Sequence, residues 1–224
     1  AASDVYKRQA YDAIDGVQVT VIADRKPAKA AGDLSGQWGN IGDGKPPVLD
    51  MSRITGTTDL EAPLTMDDVD VIDICLATPV HVDYAVKALA SGKHVICEKP
   101  LAASYAEAKP IAEAAAQAKG FFMPAMCMRF WPQWAWLKHA VDEQRYGKVL
   151  GATFRRVASM PPGWFKDGDI SGGAAMDLHI HDTDFIHYLL GKPRAVTSQG
   201  YTHTSGKIDH LVTQYHYDGV PMVQ

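Results

Sequence analysis

Asp24-Arg25, Thr78-Pro79-Val80-His81, Glu98-Lys99-Pro100 and Asp177-Leu-His-Ile-His181-Asp-Thr-Asp184 carry the side chains in this sequence best placed for chemistry. The last string follows Gly172-Gly173 and reads as the opening of a helix. At helical spacing Asp177, His181, Asp184 and Tyr188 share one face. Leu178, Phe185, Ile186 and Leu189 form an apolar stripe on the other side, suited to burial. Polar groups gathered at a helix start after a flexible glycine pair suit a catalytic or anion-facing site. The plainer reading is a capped amphipathic helix with surface histidines. Lys99 would project a charge from the tip of a buried strand, whereas the plainer reading is a solvated strand end. Asp24 closes an apolar run, where a turn aspartate is the default. Thr78-Pro79 stops a strand and can equally cap the next helix, with proline at its first position.

The elements that would hold these residues follow from periodicity. Strand-like runs at 17–23, 71–77, His94–Cys97 and 121–125 alternate with helical patterns at 27–34, 81–91, 104–119 and 132–144. That alternation is the signature of a parallel sheet covered by helices. Glu107 follows Ser104 by three positions, as in a capping box. Residues 36–50 are rich in Gly and Pro and read as a long loop. The period changes near Gly147. Beyond it come a strand-like stretch at 149–158, a Gly- and Pro-rich loop at 160–173, and a helix over 177–190 ended by Gly191. Strands at 194–202 and 208–217 then alternate as in a sheet with one wet face. The expected organisation is an α/β nucleotide-binding domain at 10–146 and an α+β domain at 147–224. Open parallel sheets bind ligands at the carboxyl ends of their strands. Asp24, Thr78, His81, Glu98 and Lys99 all fall at such ends, and Asp24 is placed to accept hydrogen bonds from a ribose.

Composition excludes several other classes. With 46% hydrophobic and 21% charged residues and a formal net charge of −4, the chain has no basic excess for nucleic acid. Its apolar runs are strand-sized, too short to span a membrane, and no secretory segment opens it. Cys75, Cys97 and Cys127 are scattered, without metal-ligand spacing, and read as reduced thiols of a cytoplasmic protein. Residues 1–9 resemble a translated sequencing-library adapter, and 220–224 stop inside a strand-like pattern, so the chain reads as a fragment.

The string from Val71-Ile-Asp-Ile-Cys75 through Thr78-Pro79 and His81 to Cys97-Glu-Lys-Pro-Leu-Ala102 resembles the glucose–fructose oxidoreductase/inositol dehydrogenase (Gfo/Idh/MocA) family. So does the block from Gly172-Gly173 through Asp177…His181…Asp184 to Leu189-Leu-Gly191. The resemblance implies a Rossmann domain lacking its first strand and glycine-rich turn. It implies a second domain, also incomplete, built on an open antiparallel sheet that carries the substrate site and an oligomer interface. NAD, or alternatively NADP, would be the hydride carrier, and a secondary alcohol of a sugar or polyol the substrate. Lys99, Asp177 and His181 match the family's catalytic positions. Asp24, Thr78, Pro79, His81 and Glu98 match its cofactor side, with Arg25 beside Asp24 and Arg129 near the crossing into the second domain. His179 stands where many members have glycine.

Two other classes compete with hydride transfer. A metal-dependent hydrolase could use His179 and His181, but on a helix residues two apart point about 200° away from each other. A cofactor-binding relative without turnover is the other, and the retained Lys99, Asp177 and His181 argue against it.

Overall fold

A computed structural model describes residues 3–35, 49–160 and 163–224. The loop expected at 36–50 lies outside the described residues through position 48, as do Pro161 and Pro162. Contacts divide the chain into two units, Ala1–Glu98 with Ser104–Pro124 and Lys99–Ala103 with Ala125–Gln224.

The first unit holds helix α1 (Ser3–Asp12), strand β1 (Val21–Ala23), the single turn α2 (Pro27–Ala30) and strand β2 (Thr55–Thr57). β3 (Val71–Ile74), α3 (His81–Ala90), β4 (His94–Cys97), α4 (Tyr105–Gln117) and β5 (Phe122–Pro124) complete it. All strand pairs in this unit are parallel. β1 pairs with β2, and a second sheet runs β3-β4-β5. Against the doubly wound order 3-2-1-4-5-6, these are the two flanks, with β1 and β3 as their inner edges. β3 and β4 are built largely from β-branched residues and bury one face. Ile72, Ile74, Val95 and Cys97 lie on it, against α3, whose Ala85, Ala88 and Leu89 are buried as well. The small alanines let α3 and α4 pack closely. The expected cap opens α4, where the Ser104 hydroxyl accepts from the Glu107 amide at 3.3 Å, one of the two bonds of a capping box.

Two strands are shorter than their apolar runs. β1 keeps only the part that β2 can pair, although Thr20 still accepts from the Thr55 amide. β3 stops at Ile74, whose carbonyl takes the last rung from the Glu98 amide. The chain then enters a 3-10 turn at Thr78–Val80.

The second unit contains α5 (Pro132–Asp142), β6 (Gly151–Ala152), the short helices α6 (Gly168–Ser171) and α7 (Gly173–Asp177), and α8 (His179–Leu190). β7 (Ala195–Tyr201), β8 (His210–Tyr217) and β9 (Val220–Val223) follow. The sheet order is β6-β9-β8-β7, antiparallel except for the parallel β6–β9 pair, so the expected antiparallel sheet is mixed. α8 buries its apolar stripe in two clusters. Phe185 and Leu189 pack on Met128, Trp134 and Leu137, and Ile186 packs on Tyr215 and Val223. α5 therefore belongs with α8, and the contacts divide at Pro124/Ala125, ahead of the change of period near Gly147.

The helix expected over 177–190 is two pieces, broken at Leu178. The cause lies at the glycine pair. Gly172 has φ +76°, and a Cβ on Gly173 would stand 2.7 Å from the Ile208 carbonyl oxygen. The adjacent Ala174 amide donates to that same oxygen at 2.8 Å. α7 is thus pinned to the chain just ahead of β8, and α8 starts one residue beyond its end.

Candidate functional site

In the first unit the expected cofactor-side residues sit at strand ends, each held differently. The Asp24 amide donates to Thr57, and its carboxylate accepts from the Lys26 amide at 2.8 Å, with Lys29 at 3.8 Å. The turn role of Asp24 is therefore real, and it fixes the carboxylate just beyond β1. Arg25 beside it is exposed. Thr78 is buried at the start of its turn, with Pro79 next in place. His81 is 1% exposed and bonds the Leu76 carbonyl through Nε2 at 2.9 Å, so it holds the β3–α3 turn from beneath. Glu98 follows β4 with a mostly buried side chain, 3.0 Å from the Lys7 ammonium. Cys97 beside it is fully buried, which pushes its thiol up to about 12 and leaves it unreactive.

The second unit brings the three expected catalytic residues together. Lys99 Nζ donates to the Asp177 carboxylate at 2.8 Å and to the Asp177 carbonyl at 2.7 Å. Both side chains are mostly buried, at 17% and 15% exposure. His181 lies in the field of this pair. Burial first, then the charges of Lys99 and Arg156, pull its imidazole down to about 4, against the opposing pull of Asp177 and Asp182. The ring is therefore neutral at neutral pH and able to take a proton. Its Nδ1 is buried with no hydrogen-bond partner among the described residues. A buried polar atom left unmet costs about 1–3 kcal/mol.

Arg129, expected on the cofactor side, lies in the second unit and is occupied there. Its guanidinium grips Asp184 through Nε at 2.8 Å and Nη2 at 2.5 Å, and it lies 4.7 Å from the centre of the Tyr188 ring. Asp184 and Tyr188, on the same face of α8 as His181, thus tie the 3-10 turn Cys127–Phe130 onto α8, whereas Asp177 ends the separate helix α7.

Sequence reasoning missed two residues. Asp182 is 7% exposed and is held by Arg156 through two bonds of 2.9 Å, while Arg156 Nη2 also lies 2.8 Å from Met128 Sδ. The position of Asp182 directly after His181 was the only local signal, and nothing around Arg156 announces the pairing. His179 faces the sheet, where Nε2 meets the Tyr215 hydroxyl at 3.0 Å, and that hydroxyl in turn meets Thr183 at 2.7 Å. A shared metal ion on His179 and His181 therefore has no geometric support. Among the described residues, no group of three His, Cys, Asp or Glu side chains could hold one.

Fold and site together define a nucleotide-binding parallel-sheet unit and an α+β unit carrying a buried Lys–Asp–His cluster. Residues 3–126 match the family model described as an oxidoreductase family with an NAD-binding Rossmann fold. Residues 134–223 match the GFO/IDH/MocA C-terminal domain. The chain belongs to the Gfo/Idh/MocA oxidoreductase family. It is 30% identical over 157 residues to trans-1,2-dihydrobenzene-1,2-diol dehydrogenase of Xenopus laevis, covering 68% of this chain and 47% of that protein. To levoglucosan dehydrogenase of Pseudarthrobacter phenanthrenivorans it is 31% identical over 149 residues, covering 63% and 38%. The chain spans about half the length of the curated relatives it matches. Among solved structures, levoglucosan dehydrogenase in complex with NADH and L-sorbose superposes with a TM-score of 0.81. At 24% identity it covers 99% of this chain and 62% of that one, a likeness of fold.

Proposed function

We propose that the protein transfers a hydride between NAD(P) and a secondary alcohol of a sugar, polyol or related compound. The observation that carries this reading is the buried Lys99–Asp177 pair beside a neutral His181. His181 acts as the acid/base, accepting the hydroxyl proton as the alcohol is oxidised. Lys99 places positive charge where the substrate oxygen develops alkoxide character. Asp177 holds the Lys99 ammonium through both its carboxylate and its carbonyl. The named activities of the relatives, which include dehydrogenation of a cyclic diol and of levoglucosan, fit this chemistry.

The residues of the first unit fit a dinucleotide. Asp24 sets an oriented carboxylate beyond β1, suited to ribose hydroxyls, and the Thr78-Pro79 turn and Glu98 stand at the ends of β3 and β4. The nicotinamide, when bound, takes or supplies the hydride. Small polyols are the expected partners, with no nucleic acid. Among the described residues no helix is long and apolar enough to cross a membrane. A cytoplasmic location accords with three free cysteines. Homo-oligomer formation accords with the exposed apolar residues Val196, Tyr201 and Val212 on β7 and β8.

The test is turnover of a panel of cyclic and linear polyols with NAD or NADP, followed by nicotinamide absorbance. Lys99→Met should lower turnover by roughly 10² while leaving cofactor affinity nearly unchanged. Asp177→Asn, which keeps the shape and loses the charge, should cost an intermediate amount. Near wild-type rates in both variants would remove the cluster from the mechanism.

A further inference from the structure

We infer that Asp209, in the loop between β7 and β8, is a positioning residue for the Lys99–Asp177 pair, because it locks that loop into the shape that holds α7. Three successive amides converge on the Asp209 carboxylate, those of His203 at 2.7 Å, Thr204 at 2.5 Å and Ser205 at 3.0 Å. A charged acceptor makes each of these bonds stronger than a neutral one would. Ser205 first, then the Thr204 and His203 amides, hold this carboxyl well below the usual carboxylate range, so the lock stays charged. A second tether from the loop, Lys207 to Asp169 at 2.8 Å, joins two exposed side chains and contributes little.

The locked loop presses on the segment that carries Asp177. Its Ser205 carbonyl accepts from the Gly168 amide at 2.9 Å, at the start of α6. Its Ile208 carbonyl accepts from the Ala174 amide at 2.8 Å, in α7. There is no slack at either point. A Cβ on Gly168 would lie 2.5 Å from Lys207 Cγ, and one on Gly173 2.7 Å from the Ile208 carbonyl oxygen. Ile208 directly precedes Asp209, so the bond to Ala174 and the lock share one stretch of backbone. α7 has five residues, too few to hold a direction by its own hydrogen bonds. Its direction is set from outside, and Asp177 at its last position meets Lys99 through both carboxylate and carbonyl. A displaced loop therefore displaces the pair. The catalytic consequence rests on the function proposed for Lys99 and Asp177, whereas the positioning itself does not.

The experiment uses the full chain and brief acetylation by acetic anhydride, with labelling at Lys99 relative to Lys138 read by mass spectrometry. Lys138 is about as buried as Lys99, at 19% against 17% exposure, and pairs with Asp142 elsewhere in the same unit. General loosening raises both labels together. Asp209→Ala should raise the ratio roughly fivefold and speed hydrogen exchange at 173–177. Asp209→Asn keeps one acceptor oxygen and should fall between. An unchanged ratio in Asp209→Ala would overturn the proposal, as would a rise shared equally by Lys138. Should the alanine variant fail to fold, Asp209→Asn decides alone, a raised ratio supporting the lock and an unchanged one overturning it. In turnover of a polyol with NAD, Asp209→Ala should lower kcat about tenfold without changing cofactor affinity. In a Lys99→Met background it should lower kcat no further. Equal losses in both backgrounds would overturn positioning through Lys99. Wild-type turnover by Lys99→Met alone would instead overturn the catalytic reading, and the labelling ratio would still decide whether Asp209 holds the pair.

Discussion

A lysine and an aspartate that neutralise each other can still control a histidine beside them, because burial removes the water that would otherwise stabilise an imidazolium. For His181 the folded value is near 4, against an ordinary 6.5. The unfolded chain therefore binds a proton between those values and the native chain does not. The native state loses stability as pH falls from about 6.5 to 4 and loses no more from this group below that. Other carboxylates titrate nearby, so the quantity to measure is the difference between wild type and His181→Asn. Wild type should lose melting temperature more steeply over this window, and parallel curves would place the imidazole in water. Catalysis should follow the same value, with the acid limb of polyol oxidation near pH 4 and absent from the variant. At the other end of the chemistry, we propose that Asp24 sets cofactor choice. A carboxylate repels a 2′-phosphate, so the protein should favour NAD, and Asp24→Ser should shift preference toward NADP, helped by the exposed Arg25. A wild type that already uses NADP far better would end that assignment.

Elements show why part of this architecture was legible in the sequence. Buried parallel strands announce themselves as short β-branched runs, and the cap at Ser104 is a local pattern, so β3, β4, α3 and α4 fall where the periodicity puts them. Lys99 and Asp177 are 78 positions apart, and only their resemblance to a known family joined them before the contact was seen. The break at Leu178 was illegible because its cause is tertiary. Gly173 must pass close to the Ile208 carbonyl, and no helical period records that contact. Asp182 and Arg156 were illegible for the same reason. Their bond ties α8 to the chain just after β6, and removing one partner leaves a largely buried charge. Asp182→Ala should therefore cost about 3 kcal/mol in denaturant unfolding. Asp182→Leu combined with Arg156→Met, which replaces the pair by apolar volume, should recover most of that loss. If the double variant is no more stable than the single one, the pair does more than fill and neutralise this space.

For the whole molecule, the two units stand on unequal foundations. The second unit closes its core around α8, with Phe185 and Ile186 fully buried and a four-stranded sheet behind them. The first unit has sound flanks, yet among the described residues β1 and β3 each show one strand partner, and a cavity of about 520 Å³ lies between them. A cavity forfeits packing on every wall that faces it, and a strand with fewer bonds to break opens sooner. On warming, the first unit should therefore lose exchange protection before the second, beginning at Val21–Ala23 and Val71–Ile74. Hydrogen exchange resolved by mass spectrometry along a thermal ramp measures the order. Loss of protection in both units over the same few degrees would show instead that the cavity costs the first unit no stability.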